Sequence, residues 1–301
     1  MRRTLAILAT MLAASPAMAQ QVSLPITQPK ADAAATQTIA PIAAAANINL
    51  TPRRVIFDRN KRTEAVYVFN QGNSTVTVDV TLVDNAMLPS GEIVPLSRLS
   101  ERDGTAQATA TKVRSAKPFL LAAPSRLTLP PGQGKTIRVR AMLADGATTS
   151  EYRSHLTVTT VPSADTGLTA EQAAASQKGE LVLRIQSVFG ISIPLIVRGG
   201  VPDAVGTIGQ ISQVTTAEGP ALAVPLRRTG TTSLYGNIEL RTAREVVGVV
   251  RGVAVYPEVD ERLAVVPLLR PLKRGEVVTA TFISDEAKKP EPIASGAFTA
   301  P

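Results

Sequence analysis

The segment GQGKT, residues 132–136, has the glycines, lysine and hydroxyl of a phosphate-binding loop. That chemistry also needs a glycine five residues before Gly134 and a helix that opens at the lysine. Leu129 stands at the glycine position and TIRVRA alternates like a strand, so the segment reads as a turn entered through Pro131-Gly132. His155 is the single histidine, with no G-x-S-x-G nucleophile elbow and no ligand-type residues spaced around it. It reads as a surface or inter-domain residue rather than a general base or metal ligand. Arg54 is a different case. In INLTPRRVIFD it shares parity with Ile48, Leu50 and Ile56, an apolar side of a strand where a charge is costly unless an anion meets it. The alternative is a strand-edge arginine that snorkels to water. No enzyme activity is expected from these residues.

The address and composition narrow the setting. MRRTLAILATMLAASPAMA joins a basic start, an apolar centre and Ala17-Met18-Ala19, the layout of a secretory signal (residues 1–19) cleaved after Ala19. The apolar run is shorter than the roughly 20 residues of a spanning helix, and no later stretch is long enough, so no membrane insertion is expected after cleavage. The chain has no cysteine, which excludes a disulfide framework and Cys-based metal sites. Stability must then come from an apolar core, and 301 residues at 44% apolar content can supply one. No metal or cofactor is expected. The net charge of +8 is interspersed with acids, no five like charges run together, and aromatics make up 3% of the chain. A nucleic-acid surface, which wants a basic patch with stacking rings, is therefore not expected.

Residues 20–46, rich in Ala, Gln, Thr and Pro, read as a disordered leader. From Ile48 the chain alternates: INLTPRRVIFD as one strand, AVYVFN, then STVTVDVTLVD with Val76, Val78, Val80 and Leu82 on one side. Residues 85–117 are polar and fit no pattern. PSRLTLPPGQGKTIRVRA predicts strand, turn, strand with Ile137 and Val139 inward, and EYRSHLTVTTVP a strand with Tyr152, Leu156 and Val158 on one face. RGGVPD at 198–203 marks a boundary between a domain over 47–200 and a second over 201–290, and 291–301 reads as a flexible tail. The fold class expected is all-β, two antiparallel β-sandwiches.

LVLRIQSVFGISIPLIV, residues 181–197, places Leu181, Leu183, Ile185, Phe189, Ile191, Ile193, Leu195 and Val197 on one strand face, interrupted by Ser187. Most strands run only about 5–6 residues, so this apolar row is longer than one sandwich needs.

TPRRVIFDRNKRTEAVYVFNQGN resembles the opening of the PapD-like periplasmic pilus chaperones, an Arg-bearing strand running into a V-hydrophobic-F/Y step. APSRLTLPPGQGKTIRVRA is similar to their P-x-R-L-x-P-G-x-x-Q-x-I-R segment. EYRSHLTVTTVP is similar to their E-S-L-F-W-L-N-V-x-x-I-P strand through Glu151, Leu156, Val158 and Pro162, and SIPLIVR to the end of their donor strand. Four segments in order cover roughly residues 48–200. The second half resembles the family through its strand pattern and RTGTTSLYGNIELR.

The resemblance implies two immunoglobulin-like domains set at an angle, and capture of pilus or fimbrial subunits by donor-strand complementation, a form of β-augmentation. Leu181, Leu183 and Ile185, with Phe189 as a fourth, would be the client-facing side chains. An outer-membrane usher would be a further partner and the periplasm the compartment. The family anchors the client's C-terminal carboxylate with two basic residues. Arg54 matches the first; the second, a lysine, falls at Pro194, with Arg198 or Arg53 as substitutes. The competing reading is a two-domain sandwich that binds a glycan or a surface protein, which would need loop aromatics among its four Tyr and six Phe.

Overall fold

In VTVDVTLV every second residue is apolar, and a pleated strand puts all of them on one face. The computed structural model, which describes residues 47–99, 101–142, 151–162, 188–286 and 290–301, is built largely from such segments. The signal and leader expectations, and Leu181, Leu183 and Ile185, lie outside the described residues.

The first half contains β1 (Ile48–Thr51), β2 (Val55–Phe57), β3 (Thr63–Asn70), β4 (Val76–Val83), β5 (Asn85–Met87), β6 (Ile93–Pro95), α1 (Leu96–Leu99) and α2 (Gly104–Thr111). It continues with β7 (Leu120–Ala123), β8 (Arg126–Leu129), β9 (Gly134–Ala141), β10 (Glu151–Val161) and β11 (Gly190–Arg198). The second half holds β12 (Val205–Ile208), β13 (Ser212–Thr216), β14 (Gly219–Thr229), β15 (Leu234–Arg241), β16 (Val246–Val255), β17 (Glu261–Pro267), β18 (Val277–Ser284) and β19 (Glu291–Thr299). The all-β expectation holds, with two sandwiches whose strands pair antiparallel except β2 on β11.

In the first sandwich, the sheet β1-β3-β9-β7 faces the sheet β2-β11-β10-β4-β8. Between them lie Val66, Val68, Val78, Ile137, Val139, Leu156, Leu195 and Val197, all but dry, as their alternation predicted. Gly132, at φ +65° between β8 and β9, makes the expected turn. The second sandwich opposes β12, β13, β14 and β17 to β16-β15-β18-β19 around Leu222, Leu226, Ile238, Val266 and Phe282.

Three departures from the sequence reading have local causes. INLTPRRVIFD is two strands rather than one, because the chain changes sheets at Pro52: β1 pairs with β3 and β2 with β11. The parity count therefore breaks there. Ile48 and Leu50 enter the first core, whereas Ile56 packs against the second. Residues 291–299, expected as a flexible tail, form β19, paired with β18 from Val277↔Thr299 to Ser284↔Glu291. Its Pro, Ser and Gly hid the strand, but Ala294 and Phe298 pack on the second core. Residues 85–117 fold as the β5–β6 hairpin and two short helices around Ala86, Val94, Leu99 and Ala106. Asp103 caps α2 by accepting the Ala106 N–H at 2.9 Å. This insertion reaches the second sandwich, since Met87 joins its core and the Leu263 N–H donates to Pro89 O at 2.9 Å.

Candidate functional site

β11 carries the C-terminal end of the apolar row singled out in the sequence, and its two edges differ. On one side it pairs with β10 along its whole length, from Glu151↔Arg198 to Thr159↔Gly190. On the other, the three residues of β2 cover Leu195–Val197 in parallel register. Residues 190–194 have no strand on that edge among the described residues. The row of odd-numbered side chains changes along the same direction. Val197 and Leu195 are fully buried, Ile193 is 3% exposed, and Phe189 is 39% exposed. Phe189 is nevertheless held in line: its N–H donates to Thr160 Oγ1 at 2.9 Å, and its carbonyl accepts the Thr160 N–H at 2.8 Å. The apolar face thus runs out of its own core while the backbone stays extended.

The even-numbered face of β11 and the matching face of β10 turn to the second sandwich. Here Arg54, the expected anchor, and Arg198, one of its two possible partners, come together on one carboxylate, Glu286. Arg54 Nη1 donates to Glu286 Oε1 and its Nη2 to Ser233 Oγ at 3.2 Å, with the guanidinium 4.3 Å above the Tyr235 ring. Arg198 donates to Glu286 Oε2 at 2.7 Å, to Glu151 Oε2 at 2.8 Å and to Ser233 Oγ at 3.1 Å. The Ser233 N–H and hydroxyl also donate to Glu151 Oε2, each at 3.0 Å. Burial raises the Glu286 carboxyl, but Arg198 and Arg54 outweigh it and hold the pKa below the ordinary range. Burial likewise works against the Arg198 charge, and Glu286 and Glu151 more than restore it. Arg54 Nε and Glu151 Oε1 are buried with no hydrogen-bond partner among the described residues.

A second cluster lies on the same face of β10. Arg153 grips Glu258 with Nη2–Oε1 at 2.5 Å and Nη1–Oε2 at 3.1 Å, and donates to Asn85 O at 2.8 Å. The Met87 N–H donates to Glu258 Oε1 at 2.8 Å, and the Arg153 guanidinium stacks 3.6 Å over Tyr256. His155 stands opposite Leu156 in parity, as expected, and is buried. Desolvation pushes its pKa down to about 3, aided by the Arg153 charge and opposed by Asp84.

Sequence reasoning singled out Arg54 and Arg198 but missed their partners. Glu286 and Ser233 flank strands of the other sandwich and stand in no periodic pattern. The E-x-R-x-H parity of Glu151, Arg153 and His155 was a visible signal, which reads locally as a solvated face. What buries it is the second sandwich and the insertion.

No protein-family model and no curated protein sequence matches the chain. Among solved structures, the Pseudomonas aeruginosa CupB2 chaperone is 12% identical, with 84% of this chain and 98% of that one aligned at a TM-score of 0.41. The Salmonella enterica SafB chaperone with SafA pilin gives 15% identity, coverage of 85% and 98%, and a TM-score of 0.42. The CsuC–CsuE chaperone–tip subunit complex of the Csu pili of Acinetobacter baumannii gives 14%, 82% and 97%, and 0.40. These three structures are of chaperones, two of them in complex with a pilus subunit; at this distance the functional reading of this chain rests on its own strands and arginines.

Proposed function

We infer that the chain is a periplasmic chaperone that captures pilus or fimbrial subunits by adding its β11 edge strand to their incomplete sandwiches, then hands them on at an outer-membrane usher. The observation that carries this reading is the row that passes from buried Val197 to exposed Phe189 along an edge that has, among the described residues, no strand beside residues 190–194. An extended edge with an apolar face is an aggregation hazard unless another chain is meant to complete it. Leu181, Leu183 and Ile185 would continue the row into the client. A fully buried Leu or Ile contributes about 1.5–3 kcal/mol, so three or four such residues supply several.

The pairing of β2 supports one direction for the added strand. β2 runs parallel to β11, with Val55 opposite Leu195. A client segment collinear with β2 and parallel to β11 would end where β2 begins, at Arg53-Arg54. Its C-terminal carboxylate would then meet guanidinium groups; the reverse polarity would bring an ammonium there.

The test is co-expression with an exported β-sandwich subunit encoded nearby. Leu183→Asp with Ile185→Asp is expected to abolish co-purification while the circular dichroism spectrum and thermal midpoint stay unchanged. A complex that survives both substitutions overturns the reading.

A further inference from the structure

The sheet β1-β3-β9-β7 buries Val66 and Val68 of β3 and Ile137 and Val139 of β9, so parity turns the residues between them to solvent. The solvent face of an antiparallel sheet is ordinarily polar. Here β3 presents Ala65, Tyr67 and Phe69 instead. Tyr67 is 41% exposed, and its ring stacks on that of Phe69 with centroids 6.2 Å apart and planes at 24°. The Tyr67 ring lies down on the neighbouring strand, where a Cβ on Gly134 would collide with its Cζ and hydroxyl oxygen. Glycine at 134 therefore lets the ring lie flat along the sheet, on a strand face rather than in a loop.

The same face carries charge. Arg138 and Arg140 of β9 are exposed and have no side-chain partner among the described residues. Arg138 stands in register between Ala65 of β3 and Ala123 of β7, and Arg140 between Thr63 and Leu121. The two alanines are too short to fill the space beside the Arg138 guanidinium. Tyr67 pairs directly with Thr136, so Arg138 is its diagonal neighbour, at the roughly 7–8 Å spacing that a long side chain bridges. No Asp or Glu has outward parity on any of the four strands. Covering the Gly134 backbone accounts for where the Tyr67 ring lies, but it calls for no unpaired guanidinium groups in line with it.

We propose that the outward face of β3 and β9 binds an acidic polysaccharide, with sugar rings stacked on Tyr67 and Phe69 and carboxylates farther along the chain gripped by Arg138 and Arg140. A pyranose ring offers an apolar C–H face for stacking, and its carboxylate matches the guanidinium fork, so one repeating unit satisfies both ends of the site. Single-stranded nucleic acid also combines rings with negative charge. Nucleic-acid surfaces, however, commonly make about 6–10 phosphate contacts, and two cations on this face fall well short of that. The face belongs to the sheet opposite the one that holds β11, so the proposal does not depend on the reading above.

The probe is a linear glucuronate oligomer, set beside its methyl ester, which keeps the sugar rings and loses the charge. Binding to the full chain is read by titration calorimetry. The acid is expected to bind about tenfold more tightly than the ester, and that advantage should shrink as salt rises. Arg138→Gln and Arg140→Gln should each bring the acid toward the ester without changing ester binding or the thermal midpoint. Tyr67→Leu, which still covers Gly134 but has no flat ring, should weaken acid and ester alike by about fivefold. Arg244→Gln, at an exposed arginine of the second sandwich, should change neither. The assignment is overturned if acid and ester bind equally, if neither binds, or if Arg244→Gln weakens the acid as much as Arg138→Gln does. It is also overturned, in favour of single-stranded nucleic acid, if an oligothymidylate binds more tightly than the acid and loses that binding in Tyr67→Leu.

Discussion

Two arginine–carboxylate clusters join the same faces of the two sandwiches and are closed to different degrees. In the Arg153–Glu258 pair both side chains are 3% exposed, and backbone groups of the 85–117 insertion complete the bonding. In the Arg54–Arg198–Glu286 cluster the acid is 18% exposed and adjoins an open cavity lined by Arg53, Tyr235 and Asp285. A fully dry ion pair costs more to desolvate than an attraction of ordinary geometry returns, and it becomes strongly destabilising when one partner is removed. The half-open acid has water as an alternative partner. The first cluster is therefore suited to holding the sandwiches together, and the second borders the open cavity. The insertion, unexplained by its own sequence pattern, acts from the closed side.

The comparison can be broken most strongly at Glu258. Glu258→Gln leaves Arg153 buried without a counter-charge, and a loss of about 3–5 kcal/mol in denaturant unfolding is expected. A loss below 1 kcal/mol would remove the distinction between the clusters.

His155, close to the closed cluster, sharpens it through pH. Its folded pKa, near 3, lies below the ordinary 6.5, so the unfolded chain binds the extra proton between those values. Stability should be fully present above about pH 6.5 and fall as pH drops toward 3. The slope approaches about 1.4 kcal/mol per pH unit, and His155→Gln should flatten it in urea midpoints taken across pH 7 to 4.

The smallest effect belongs to Glu286. Arg198 keeps Glu151 and Ser233 when Glu286 is replaced, so Glu286→Gln should cost about 1–3 kcal/mol, measured in the same way. Because the Glu286 pKa is held below its ordinary 4.5, its contribution is present above that pH and fades as pH falls further. Acid should therefore loosen the His155 region first and the Glu286 cluster later.

Much of the first sandwich was legible. Val76, Val78, Val80, Ile137, Val139, Leu156 and Val158 alternate, and alternation is a local property that a strand expresses wherever it lies. Arg54 stood out because a charge in an apolar strand demands an explanation, although the parity supporting it crossed the sheet change at Pro52. The candidate site was legible on one side. Arg54, Arg198 and Phe189 were in view, whereas Glu286 and Ser233 lie at strand ends, where no period marks them. β19 escaped for a related reason: its inward residues are small, and Phe298 is its one large anchor in the second core.

By itself, then, the order of side chains determined the strands, their inward faces and the overlong apolar row, since each depends on neighbours two residues apart. Whether the opposite face of β10 would be wet or dry and which carboxylates would meet which arginines were decided by the docking of the two sandwiches. Those are properties of groups far apart in the chain, and only tertiary packing gives them a common dielectric and a common geometry.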